Sequence, residues 1–528
     1  VTGVATAKEP QGGYLERNAR DKPHAAALCD GHRTVTWEEW NDLANRLADA
    51  LECRGLGRGD KVAVRMNNRI EWFVVNAALS KLGAVRVAVA WRLHPREVRY
   101  ILQSSAARGV VFDDESVEDL AEAFVDENGR PLPGLDTFVS VSAKPPVGVL
   151  SYAALVVEGA DAPRQSGKNA DVIVYTSGTT GRPKGVQHKR PANDAQRDAL
   201  ASITEQLKRA IPYRRDDRNL LAAPLNHAAA PSSALATHAR GGTVYVLRKF
   251  DAEEALRWIT LHRITVSFMV PTMLNRILSL PEETLARYDV SSMRIITTGA
   301  SVCPADLKHK VMRYFGPCLY ESYGSTETGL VTILTPADQD RRAESCGRLL
   351  DGVDVRIVDD EGRVLPRGEV GQIFIRSPMT IGAYVGEAAL DADVAQDGYF
   401  TAGDVGRLDT EGFLYILDRK KDMIISGGVN IYPAEIETAL REHPLVLDAA
   451  VFGVPNADWG EEVKAVCEPM PGQAVGEPEL LEFVAQRLAG FKRPRSIEFV
   501  EELPRNAAGK VLKRELRAPY WVGAGRVI

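Results

Sequence analysis

The stretch from 171 to 185 limits the fold of this chain more than any other: Asp-Val-Ile-Val-Tyr, then Thr176-Ser177-Gly178-Thr179-Thr180-Gly181-Arg182-Pro183-Lys184-Gly185. Val172 to Tyr175 reads as a buried strand. The three glycines and four hydroxyl residues after it read as a loop that can approach phosphate oxygens closely. Lys184 adds a mobile positive charge. Pro183 and Gly185 stand where a Walker A loop needs Gly and Ser or Thr, which disfavours a plain P-loop phosphatase. Elsewhere such a composition would usually mean a surface turn. Its place directly after a buried strand turns the reading towards phosphate binding.

The chain before this loop alternates in the same way. Trp37 to Arg54 has apolar residues at helical spacing, Lys61 to Met66 reads as a strand, and Glu71 to Leu82 reads as a helix. Such alternation predicts helices packed on a mostly parallel sheet. Residues 127 to 169, with their Pro- and Gly-rich turns, read as an irregular surface wrap between two sheet units. Alternation resumes at Val172 and runs to about residue 335. From Val353, shorter strands around an Asp-Asp-Glu-Gly turn predict a small antiparallel or barrel-like unit. From about Arg419 a separate small domain begins.

With 528 residues the chain is long enough for roughly three or four compact units. A net charge of -6 gives no global attraction to nucleic acid or to an anionic membrane. No stretch of about 18 apolar residues is free of charge, so no transmembrane helix is expected. The opening residues lack the apolar core of a signal peptide. The six cysteines are scattered without a CxxC pair. They predict reduced core residues of a cytoplasmic protein and no zinc site.

Three further motifs carry chemistry. In Tyr320-Glu321-Ser322-Tyr323-Gly324-Ser325-Thr326-Glu327, an aromatic can stack on a base and Gly324 admits close approach. Glu327 is a hard oxygen ligand suited to magnesium. The same residues also suit a strand end with a helix cap. Gly403-Asp404 with the charged run 418–422 offers a carboxylate for ribose hydroxyls, although such runs are commonly solvated turns. Gly509-Lys510 near the end gains meaning only from the other three.

In this order and spacing the motifs resemble the adenylate-forming superfamily of acyl-CoA synthetases, peptide-synthetase adenylation domains and beetle luciferases. Ser426 to Glu437 is most similar to acyl- and aryl-CoA ligases. The resemblance implies an α/β fold: a large N-terminal domain, 1–418, with two α/β sheet subdomains and a small β-barrel. A smaller, mobile α+β domain, 419–528, would follow. It also implies ATP, magnesium and coenzyme A as ligands, with an acyl-adenylate formed first and then passed to a thiol. Residues 176–185 would hold phosphates. Gly299, Ala300, Ser301 and Glu321 to Gly324 would border adenine, with Tyr323 against the ring. Thr326 would contact the α-phosphate, Glu327 would bind magnesium, and Asp404 and Arg419 would hold the ribose. Lys510 would bridge the attacking carboxylate and the α-phosphate. Lys421 would be the hinge, Gly427 and Gly428 would line a pantetheine tunnel, and His227 would stand at the mouth of the acyl pocket.

The sequence departs from the family at Asn226, where an aromatic is common, at Ala402, and in the stretch from Val87 to Val89. None of these removes a residue assigned above. After His227, residues 228–237 carry few large side chains. They leave volume for a bulky or ring-bearing carboxylate, or they permit close helix packing. A separate carrier protein is the alternative acceptor to coenzyme A. A luciferase-like oxidoreductase and a non-catalytic nucleotide binder are the remaining classes.

Overall fold

The computed structural model describes residues 13–113, 120–126, 128–166, 171–176, 183–188, 191, 193–427, 429–456, 458–506 and 509–522. The chain forms two compact units: Val1–Ala192 with Pro212–Phe268 and Ile381–Leu390, and Asn193–Ile211 with Met269–Thr380 and Asp391–Ile528.

In the first unit, a seven-stranded sheet runs in the order Leu150–Ser151, Thr137–Ser140, Gly109–Phe112, Lys61–Arg65, Val85–Ala88, Val172–Thr176, Lys184–Gln187. All its neighbours pair in parallel except the last two strands. Ala63, Val87, Val110 and Ile173 share a core with Val98, Ile101 and Leu102 of the helix Pro95–Ser105. The strands expected at 61 and 172 and the helices expected at 37 and 71 are present. Residues 127–169 depart from the expected wrap. Thr137–Ser140 and Leu150–Ser151 extend the sheet in parallel, and Tyr152–Glu158 is a helix. Four-residue and two-residue strands leave too short a pattern to stand out from flanking proline and glycine.

A second sheet in this unit joins Ala26–Cys29 to Thr243–Val246, and those to Arg218–Leu221 and Val266–Phe268, all in parallel. The helix Trp37–Glu52 starts at a capping box. Glu39 N–H donates to Thr36 Oγ1 at 3.2 Å and Thr36 N–H donates to Glu39 Oε2 at 2.7 Å. Its buried residues Trp37, Trp40, Ala44, Leu47, Ala48 and Leu51 recur at helical spacing.

Trp37 and Trp40 enclose His238 together with Tyr14 and Phe73, at ring-centroid distances of 4.8 to 6.1 Å. Its Nε2 faces the Ala27 carbonyl at 3.1 Å. Burial pulls the imidazole from 6.5 down to about 3, so the ring is neutral in the folded protein. Below pH 6.5 the unfolded chain therefore binds a proton that the folded chain refuses, and stability falls with pH until about 3. The expected contribution is up to about 1.4 kcal/mol per pH unit. Denaturation midpoints between pH 7 and 5 should fall less steeply in His238→Phe, and equal slopes would refute the assignment.

In the second unit, Ile295–Thr298 pairs in parallel with Leu319–Ser325. An antiparallel run continues through Gly329–Leu334, Gly347–Leu349, Phe413–Arg419, Asp404–Leu408, Gly371–Arg376 and Asp354–Val358. The last four of these strands are the short ones expected from Val353 onward, and Val331, Ile357, Ile373 and Leu414 fill the core of the run. A separate five-stranded sheet follows, with Val446–Asn456 and Gly460–Pro469 as its long hairpin. On one face Ala449, Val451, Ala465 and Cys467 meet the helices Pro433–Arg441 and Glu477–Ala485. On the other, Ala450, Phe452 and Val466 meet Leu503, Val511 and Leu516. Among the described residues no helix is long and apolar enough to cross a membrane.

Candidate active site

Asp404 opens one strand and Arg419 closes the next, and the antiparallel register sets them directly opposite each other. Arg419 Nε donates to Asp404 Oδ1 at 3.1 Å, and Tyr323 Oη donates to Asp404 Oδ2 at 2.7 Å. Each carboxylate oxygen keeps a second lone pair for another donor such as a ribose hydroxyl. Burial, and then the neighbouring Asp404 carboxylate, push the Tyr323 phenol well up, which keeps it a hydrogen-bond donor.

Lys510 lies in the field of the same groups. Burial lowers its ammonium from 10.5 to about 8, with Arg419 and Lys421 adding to the shift and Asp404 and Asp422 opposing it. At neutral pH it is still mostly cationic, and a nucleotide's phosphates would hold the proton more firmly. Lys421 lies in the turn that follows Arg419, where Asp422 N–H donates to the Arg419 carbonyl at 2.9 Å. Burial, and then Arg419, lower its ammonium as well.

Thr298 pairs with Glu321, so the loop Gly299-Ala300-Ser301 leaves its strand beside Ser322 of the next. A Cβ on Gly299 would lie 2.7 Å from the Ser322 carbonyl oxygen. Only glycine permits that approach. Ala300 holds φ +69°, a left-handed conformation that costs an L-residue about 1–2 kcal/mol. The structure thus brings together Gly299, Ala300, Ser322 and Tyr323, and Tyr323 with Asp404 and Arg419.

Three parts of this motif serve differently from its plain reading. A Cβ on Gly324 would lie 2.2 Å from the Gly329 carbonyl oxygen, so this glycine is required by the neighbouring strand. Thr326, Glu327 and Thr328 form a hairpin turn, not a helix cap. It is pinned where Thr328 N–H donates to Ser325 Oγ at 3.1 Å. Glu321 turns its carboxylate inward to Lys308, whose ammonium also donates to the carbonyls of Ala343 at 2.6 Å and Ser345 at 2.8 Å. Both side chains are buried, which leaves only the backbone of Glu321 to border a nucleotide.

In the first unit, Lys184 is not a loop residue. It begins the strand Lys184–Gln187, opposite Thr176, with its Nζ 4.7 Å from the Tyr384 ring centroid and 3.7 Å from Glu387 Oε1. His227 follows a loop that Asn68 holds. Asn68 Nδ2 donates to the carbonyls of Ala223 and Leu247 at 3.1 Å each, and its Oδ1 accepts from Leu225 N–H at 3.0 Å. On the helix Ala229–Arg240, Ala230, Ser233, Ala234 and Thr237 face inward, and Asn219 Nδ2 donates to Ser233 and Thr237. These small residues serve helix packing. Ser177, Gly178, Thr179, Thr180, Gly181 and Gly428 lie outside the described residues.

Two family models match: the AMP-binding enzyme over residues 15–385 and the AMP-binding enzyme C-terminal domain over 435–510. The chain belongs to the AMP-binding enzyme family. An indoleacetate–CoA ligase of Aromatoleum aromaticum is 36% identical to this AMP-binding enzyme, over 96% of the chain and 97% of the relative. A fatty acid–[acyl-carrier-protein] ligase of Streptomyces coeruleorubidus is 34% identical, over 95% of both chains. The crystal structure of the anthranilate CoA ligase AuaEII with anthranoyl-AMP superposes with a TM-score of 0.86 at 26% identity, covering 98% of this chain and 99% of that one.

Sequence reasoning named Gly427 in this AMP-binding enzyme but missed the aromatic side chains beside it. Gly427, with φ +57°, donates its N–H to the Trp459 carbonyl at 2.8 Å, and a Cβ there would lie 2.7 Å from the Trp459 ring. Trp459 is 56% exposed and Phe491 50% exposed, and both line one cleft with Ser426, Asn456 and Arg495. Exposed aromatics beside a cation were the available signal, but they lie 32 positions apart in sequence.

Proposed function

We propose that this AMP-binding enzyme is an ATP-dependent acyl-CoA ligase acting on a bulky or ring-bearing carboxylic acid. The acid's carboxylate oxygen attacks the α-phosphorus of ATP, pyrophosphate leaves, and the mixed anhydride acyl-AMP forms. The thiol of coenzyme A, having lost its proton, then attacks the acyl carbon, and AMP leaves. No side-chain nucleophile is needed.

The observation that carries this reading is the convergence of Lys510, Asp404, Arg419 and Tyr323. Asp404 with Arg419 would hold the ribose, and Lys510 would offset repulsion between the carboxylate and the α-phosphate. The backbone around Gly299 and Ser322 would border the adenine. Among the described residues no cluster of three or more His, Cys, Asp or Glu could hold a metal by itself. A magnesium ion held by the Glu327 carboxylate and the nucleotide's phosphates fits that donor set, because magnesium commonly keeps waters and takes one or two carboxylates. Bound there, it would neutralise phosphate charge.

We place a boundary at Arg419, between an adenylation domain, 1–418, and a smaller domain, 419–528, hinged at Lys421. The separate sheet and core of 424–499 support that boundary. Coenzyme A as acceptor is supported by the cleft of Trp459, Phe491 and Arg495 beside Gly427, since an aromatic can stack on its adenine and a cation can pair with its phosphates. Aromatic–base stacking contributes about 1–3 kcal/mol, so Trp459→Ala should raise the KM for coenzyme A roughly 5- to 150-fold and leave adenylate formation within about twofold. An unchanged KM would remove the cleft from the acceptor site.

The ring-bearing acid is supported by the indoleacetate and anthranilate ligases to which the chain is similar. The carrier-protein ligase among its relatives favours a second reading, in which a carrier thiol replaces coenzyme A. The deciding experiment follows AMP release with ATP and magnesium across aryl, arylacetic and fatty acids, with coenzyme A, with a phosphopantetheinylated carrier, or with neither. AMP that requires an acid and rises with coenzyme A is expected. A rise with the carrier alone would select the second reading, and no acid-dependent AMP would refute both.

A further inference from the structure

We infer that one face of the short helix Pro271–Leu278 positions Lys510 for adenylation, with Thr272, Asn275 and Arg276 as the docking residues. The inference rests on the reading above, in which Lys510 serves the first half-reaction and residues 419–528 reorient for the second.

The helix has two faces. Pro271, Leu274 and Ile277 are buried, whereas Thr272, Asn275 and Arg276 share the other side at i, i+3 and i+4 spacing. All three engage residues between 447 and 509, in the domain that carries Lys510. Thr272 Oγ1 donates to the Gly509 carbonyl at 3.2 Å, and Asn275 Nδ2 donates to the Leu447 carbonyl at 2.8 Å. Arg276 forms an ion pair with Glu502. One contact thus falls on the residue immediately before Lys510, and two fall on the sheet and loop that support it.

Docking at Gly509 can set Lys510 only if the peptide between them is held, and it is. Asn506 N–H donates to the Lys510 carbonyl at 2.9 Å, and Lys510 N–H donates to Asn506 Oδ1 at 3.0 Å. Asp448 and Glu468 face each other across the long hairpin, where two carboxylates would repel. Arg505 lies between them, donating to Asp448 Oδ2 at 2.7 Å and to Glu468 Oε2 at 3.3 Å. Its other amino group donates to the Gly509 carbonyl at 3.2 Å. That carbonyl is therefore gripped from within by Arg505 and from the helix by Thr272. Gly509 holds φ +78°, which favours glycine there.

The test combines Thr272→Val, Asn275→Ala and Arg276→Ala in the full chain; all three side chains are outside the buried core. Acid-dependent exchange of pyrophosphate into ATP should fall at least tenfold, while thioester formation from supplied acyl-adenylate stays within about twofold of wild type. A second readout needs no acid substrate: the pH profile of Lys510 modification by an amine-reactive reagent, mapped by mass spectrometry, should shift upward as water reaches the ammonium. Exchange and modification profile both unchanged would overturn the inference. So would equal losses in both half-reactions, which would assign the face to folding. A wild-type protein without exchange on any acid would refute the ligase reading instead, and the modification profile would still decide the dock.

Discussion

Replacing Lys510 by alanine should lower acid-dependent ATP–pyrophosphate exchange by about 10²- to 10³-fold, the usual cost of deleting one preorganised donor to developing charge. Thioester formation from supplied acyl-adenylate should change little, because that step forms no bond at the α-phosphorus. The loss should not come from unfolding. Lys510 is half-buried and lies in the field of Arg419 and Lys421, so the folded protein already holds its charge at a cost that alanine removes. Lys510→Arg keeps a positive charge but presents a planar fork in place of a compact ammonium, so only partial recovery is expected. Exchange at the wild-type rate in Lys510→Ala would take the residue out of the first step.

The second large effect concerns stability. Lys308→Met should destabilise the second unit by about 3–5 kcal/mol, the cost of breaking a buried pair by removing one partner. Three acceptors lose their donor together: the Glu321 carboxylate and the carbonyls of Ala343 and Ser345. Burial already raises the Glu321 carboxyl above its ordinary value, with Lys308 opposing that shift, so without the ammonium it should take up a proton. Adding Glu321→Leu should recover part of the loss, although the two carbonyls stay unpaired. Denaturant midpoints of the two variants measure this directly. A midpoint for Lys308→Met within about 1 kcal/mol of wild type would show that the pair is not what holds these strands.

Much of this was legible in the chain, for physical reasons that differ by element. The helix at Trp37 announces itself through Thr36 and Glu39, because a capping box is local. The adenylate-forming pattern is legible because phosphate, ribose and metal each demand particular residue types at strand ends. The site's supports were not. Lys308 sits on a helix whose sequence looks amphipathic and ordinary, and only the fold turns its ammonium under Glu321. Asn68 holds the loop before His227 from more than 150 positions away. The motifs set Gly324 and Lys184 at a nucleotide, and the structure pairs Gly324 with Leu330 and Lys184 with Thr176 in neighbouring strands. Pairing partners distant in sequence leave no periodic trace. The strands at 137 and 150 stay hidden for another reason, their shortness among proline and glycine.

The cage around His238 has a consequence for synthesis. Asn18 Nδ2 donates to the His238 carbonyl across 220 positions, and Ala26–Cys29 has its parallel partner at Thr243–Val246. At about 5–20 residues per second, translation supplies those partners roughly 10 to 45 s after the early segment is made. Through that interval Tyr14, Trp37, Trp40 and the edge of Ala26–Cys29 lack the surfaces that cover them in the native state. The nascent chain must keep its first helices from other partners until residue 246 has left the ribosome.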